Sequence, residues 1–201
     1  MTEPFAVTTD GAGEGNSPAP SHLYDTTTLD ARGRAILKAF VELLQRRPAD
    51  PAVVFGQICS RLRRRLRLRR ALLFVKTERP AALQSYALWE DGALSSGVLV
   101  TVPTEDSLLW ELLETGCAKS YSPASLFNGN LIESKLTYSI PNGALALLPL
   151  SHQRRPVGLV ALNSGLGAEL EPNDPLLQGT LALFGAFLAK SPLLSLTLAD
   201  A

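Results

Sequence analysis

The period at which apolar residues recur changes along the chain, and each change marks an element. Behind Thr28 or Asp30, either of which can cap a helix, Ile36, Leu37, Phe40, Val41, Leu43 and Leu44 recur at helical spacing until Arg46-Arg47-Pro48. A second helix starts at Asp50, with Pro51 in the first turn where a missing N–H costs nothing, and presents Val54, Phe55, Ile58, Leu62 and Leu66 on one side. The pattern then shortens. Apolar runs at Ala71 to Lys76, Leu83 to Trp89 and Val98 to Val102, the last after the turn signal Glu90-Asp91-Gly92, predict consecutive strands, antiparallel because the links are short. From Asp106 the helical period returns with Leu108, Leu109, Leu112 and Leu113, and Thr115-Gly116 stops it. Residues 122–142, with Pro123, Asn128, Gly129, Asn130, Pro141 and Asn142, read as a loop, and one so long inside a compact domain is more often functional than idle. Ala144 to Leu150 and Val157 to Asn163 are central strands joined by the polar link 151–155. Asp174 then caps a last helix from Pro175 to about Lys190 that is apolar on nearly all sides.

Length changes this picture little: 201 residues hold one core and a tail. Residues 1–27 lack apolar periodicity and are expected to form a disordered tail, 28–191 the domain and 192–201 a C-terminal tail. Charge adds an asymmetry. The formal net charge is zero, yet Glu3, Asp10, Glu14, Asp25 and Asp30 stand in the first 30 residues without a Lys or Arg, so the body is basic. The acidic, Gly/Ser/Thr/Pro-rich start does not read as an export signal, and the apolar run 175–189 is broken by Gln178, Gly179 and Thr180. A cytoplasmic location with no membrane span is the expectation. Cys59 and Cys117 have neither metal-site nor redox-pair spacing and are expected as free thiols.

The run Gly143-Ala-Leu-Ala-Leu-Leu-Pro-Leu150, a polar turn, and Arg155-Pro-Val-Gly-Leu-Val-Ala-Leu162 together resemble the GAF family. There, a strand ending in an apolar-Pro-Leu step turns back into an apolar-Gly-apolar strand, followed by a loop and an Asp opening the last helix. Pro149, Leu150, Gly158 and Asp174 occupy those places, and Leu112-Leu-Glu-Thr-Gly116 followed by Ala118 to Tyr121 resembles the mid-domain helix and strand. The resemblance covers about residues 30 to 190 and implies an α+β fold: a six-stranded antiparallel sheet, helices packed on one face, a loop-covered pocket on the other. Independently of the family, Pro149 lacks an N–H and fits a strand end or edge, while Gly158 lets a neighbour approach the sheet.

The family's specialisations can be tested residue by residue. Cyclic-nucleotide-binding members carry Asn-Lys after the last strand, then Phe and Asp-Glu. Here Asn163-Ser164, Leu170 and Asp174 leave out the lysine, the phenylalanine and the second acid. Cys117 precedes Ala118 rather than the histidine that often follows a bilin-attaching cysteine. A methionine-sulfoxide-reducing member, the alternative enzyme reading, needs attacking and resolving thiols, whereas Cys59 and Cys117 fall on different elements with no third thiol. His22 lies in the tail and His152 in a turn, so neither a metal nor a cofactor is expected, and a non-catalytic module is. Trp110, Tyr121, Phe127, Tyr138 and Asn142 all fall in the region that covers the family's pocket and could line a small-molecule site, although a filled core under a long loop is the plainer reading of them.

The one unusual run is Arg61-Leu-Arg-Arg-Arg-Leu-Arg-Leu-Arg-Arg70. With Leu62 and Leu66 turned inward, Arg61, Arg63, Arg64, Arg65 and Arg67 form a cationic surface, a solvated face or a contact for an acidic partner protein. Nucleic acid is not expected, because no aromatic residues interleave with the arginines. The last helix carries more apolar circumference than one sheet face can cover, so a homodimer through the terminal helices is expected, with Leu181 and Phe184 at its contact. Two readings therefore stand: a module sensing a small ligand, or a dimerising adaptor.

Overall fold

In the computed structural model, residues 29–46, 48, 50–78, 80–137 and 143–192 are described. The expected tails at 1–27 and beyond Pro192 lie outside these residues, as do Tyr138 and Asn142. Two helices, α1 (Ala31–Gln45) and α2 (Pro51–Leu66), lead into three strands, β1 (Leu68–Glu78), β2 (Ala81–Glu90) and β3 (Ala93–Pro103). Helix α3 (Leu108–Thr115), strand β4 (Lys119–Tyr121), a 3-10 turn (Ala124–Leu126) and helix α4 (Leu131–Leu136) follow, then β5 (Leu145–His152), β6 (Arg155–Ser164) and α5 (Pro175–Leu188).

The strands form one six-stranded sheet in the order β3-β2-β1-β6-β5-β4, with every pairing antiparallel. Side chains alternate between its faces, as the pleat requires. Ala71, Leu73 and Val75 of β1, Val160 and Leu162 of β6, and Ala146, Leu148 and Leu150 of β5 join a core with α1, α2 and α5. Leu72 and Phe74, Leu159 and Ala161, and Leu145 and Leu147 from the same strands join a second core with α3. Two covered faces explain why these strands are apolar almost without interruption.

Small residues decide two close approaches. A Cβ on Gly158 would overlap the carbonyl oxygen of Phe74 on the neighbouring strand, and one on Gly185 of α5 would stand 2.8 Å from the carbonyl oxygen of Ser151 on β5. Strand β4 pairs only with Leu145 to Leu147, so Pro149 occupies a stretch of β5 with no outer neighbour, where a missing N–H forfeits nothing.

Two expectations need correction. The segment 122–142 is not one open loop: its described part folds into the 3-10 turn and α4, the latter started by a capping box in which Asn130 and Glu133 satisfy each other's backbone N–H. Leu181 and Phe184 lie within the core of the single chain, 9% and 1% exposed, with the Phe184 ring stacked 6.0 Å from that of Phe55. The apolar circumference of α5 is largely used by the chain's own α1, α2 and β5, which pack around it. These two side chains therefore offer no face to a partner.

Candidate functional site

Among the described residues, α3 packs closely on the sheet face expected to hold a ligand. Leu109, Leu112 and Leu113 of α3 pack onto Leu72, Phe74, Leu83, Val102, Leu145, Leu147 and Leu159, each at most 1% exposed. The aromatic candidates stand at the margin of this cluster. Tyr121 and Phe127 meet edge to face with centroids 5.4 Å apart, and burial, followed by the nearby Glu111 and Glu133, raises the Tyr121 hydroxyl above its usual range. Trp110 is half-buried under the Lys76 ammonium, 5.1 Å from its ring centroid, and that ammonium also pairs with Glu114 at 2.7 Å.

A residue that sequence reading passed over organises this face. Glu133 is fully buried, and one carboxylate oxygen accepts from the Ser107 hydroxyl at 2.7 Å and the Leu109 N–H at 2.9 Å. The other accepts from the Asn130 N–H at 2.9 Å. A single side chain so satisfies donors at the starts of both α3 and α4. The signal was present as Asn130-x-x-Glu133, a capping-box spacing. Asn163 also turns toward this face: its Nδ2 donates to the Thr137 carbonyl at 3.5 Å, and its buried Oδ1 has no partner among the described residues.

On the helix face the arginines divide by partner. Arg65 pairs with Asp30, the N-cap of α1, at 3.0 Å and stands 3.9 Å from Asp174, the N-cap of α5. Arg69 grips Asp91 in the β2–β3 turn through two contacts of 2.5 and 2.8 Å, and Arg63 approaches the same carboxylate at 3.7 Å while lying over the Trp89 ring. Among the described residues Arg61, Arg64 and Arg67 have no carboxylate partner; Arg61 bonds only to Gln57, and Arg67 closes α2 in the left-handed conformation. Among the described residues, then, the exposed Arg61, Arg64 and Arg67 lack a carboxylate partner, with the exposed Arg63 beside them.

Beside them runs an open groove of about 470 Å³ between α2 and the β2–β3 hairpin. Val53, Gly56, Gln57, Ser60 and Arg61 supply one wall at helical spacing, Gly92 and Leu94 the other, and Trp89 also lines it. Asp91 and Gly92 both take positive φ in the two-residue turn, which brings Leu94 against Gly56, where a Cβ would stand 3.1 Å from a Leu94 methyl.

The thiols lie apart. Cys59 is buried in α2, and burial pushes its thiol far above the usual range, while Cys117 is exposed between α3 and β4. Among the described residues no group of His, Cys, Asp and Glu could hold a metal ion, and no helix is long and apolar enough to cross a membrane.

An open antiparallel sheet with α1, α2 and α5 on one face and α3 on the other defines the GAF-like class of α+β fold. Solved structures bear this out. The chain is similar to the GAF domain of an Acinetobacter phosphoenolpyruvate-protein phosphotransferase, with a TM-score of 0.60 and 12% identity over 86% of this chain and 98% of that one. It is similar to the GAF domain of a Bacillus halodurans two-component sensor histidine kinase, with a TM-score of 0.51 and 12% identity over 76% and 98%. A free methionine-R-sulfoxide reductase from Neisseria meningitidis, in complex with its substrate, gives 0.56 and 14% over 80% and 90%. No protein-family model and no curated protein matches the chain.

Proposed function

We propose that this chain is a non-catalytic, cytoplasmic regulatory module of GAF-like fold whose output is association: it dimerises through its terminal helices and docks an acidic partner protein. The observation that supports this reading is the close packing, among the described residues, of Leu109, Leu112 and Leu113 of α3 on the strand residues below them. Most of the similar solved structures are described as GAF domains, including one from a sensor kinase, which supports a regulatory role. The buried Cys59, with its thiol held in the neutral form, speaks against thiol exchange of the sulfoxide-reductase kind.

With Leu181 and Phe184 internal, the dimer contact moves to the partly buried Ile36 and Leu43 of α1 and Leu183 and Phe187 of α5. Small-ligand sensing stays as a second reading, favoured by the unpartnered Oδ1 of Asn163, the kind of fixed polar group a ligand donor would satisfy. Native mass spectrometry of the purified chain separates them. Association predicts a dimer at twice the chain mass with no adduct; a monomer carrying a stoichiometric small molecule would reverse the order of the two readings.

A further inference from the structure

We propose that the groove between α2 and the β2–β3 hairpin is a docking site for an acidic peptide segment of a partner protein, with an apolar side chain between Val53 and Leu94 and flanking carboxylates on Arg61 and Arg64. This rests on the association reading and gives it a place and a chemistry. Val53 and Leu94 are 44% and 38% exposed on opposite walls, although both are apolar and each stands on a well-formed element. Arg61 lines the groove four residues after Gln57, and the exposed Arg64 follows at i+7 on the same side of α2; neither has a carboxylate partner among the described residues. Arg63, Arg65 and Arg69, by contrast, already face Asp91, Asp30 and Asp174.

Trp89 lies beneath the groove, 1% exposed, and gives it an apolar floor beside Val53 and Leu94. Gln57 and Ser60 offer further polar contacts along the same wall. A second copy of the chain is a poor occupant, since a two-fold contact through this wall would oppose arginines to arginines. A single strand of nucleic acid needs exposed aromatic faces to stack on, and Trp89 is buried.

The test is selection of a random displayed peptide library on the full chain, followed by fluorescence anisotropy with the labelled consensus peptide. Recovered sequences are expected to place Asp or Glu on both sides of an aliphatic or aromatic residue. The Arg61→Glu/Arg64→Glu and Leu94→Glu variants should each weaken the peptide about tenfold or more, while Arg154→Glu in the distant β5–β6 turn changes nothing and circular dichroism melting shows all three folded. In a Trp110→Phe background the remaining Trp89 emission should shift on peptide binding. Three results would overturn the site: no acidic-apolar enrichment, equal affinity for wild type and both groove variants, or an oligothymidylate competing as well as the peptide while the peptide's apolar residue is dispensable. The dimer mass lies outside these substitutions, so loss of the groove and loss of the association reading are separate outcomes.

Discussion

Asp30 and Asp174 cap α1 and α5, and Arg65 of α2 reaches toward both carboxylates, so one side chain links the starts of two helices to the end of a third. Arg65→Ala should therefore lower the urea midpoint, whereas Arg61→Ala and Arg64→Ala, which lack carboxylate partners among the described residues, should leave it unchanged. The acid limb reports the same pairs. The Gly33 N–H and then Arg65 hold Asp30 below the ordinary carboxylate range, and the Arg69 hydrogen bond does so for Asp91. Their contribution is fully present above the unfolded carboxylate value and fades as pH falls through the lower folded values; melting temperature between neutral pH and about 5 should not move on their account. Glu133→Ala strands two buried donors and a part-buried one and should cost about 3 kcal/mol in urea unfolding. Thiol titration with an aromatic disulfide should find Cys117 at once and Cys59 only after denaturation.

Glycine contacts decide the packing of β6 and α5. Gly158→Ala drives a methyl into a backbone oxygen that cannot step aside, and a loss of about 2 kcal/mol or more is expected, larger than for Gly97→Ala, where nothing stands within 4 Å but φ is +112°. Much of this level was readable in the sequence. Period changes located the long elements, and the chain's close approach at Gly158 and the edge position of Pro149 follow from what each residue lacks. What escaped was set by tertiary context. Strand β3 begins at Ala93, where Ser95 and Ser96 break the apolar pattern because they lie exposed on the sheet's edge. Helix α4 spans Leu131–Leu136 and is too short to show a period, so only its capping box betrayed it. The groove escaped for a different reason: Val53 and Trp89 are far apart in sequence, and only the packing of α2 on the sheet, with the β2–β3 turn folding Leu94 back over it, brings their elements together.

For the whole molecule, the two cores distribute function between faces. Among the described residues α3 packs closely on one face, and on the helix layer Ile36, Leu43, Leu183 and Phe187 are partly buried; the proposed dimer would use this second surface. Phe184 and Leu181 cannot be used to probe that surface, because a charge at either enters the core; Leu183 and Phe187 are only partly buried, so charged replacements there cost less, although the Phe187 ring stacks on Phe184 and circular dichroism melting must show the variant folded. Sedimentation velocity at micromolar concentration is the direct test. The account predicts a dimer for the wild type and a folded monomer for Leu183→Glu/Phe187→Glu; a wild type that sediments as a monomer, or a double variant that stays dimeric, would contradict it.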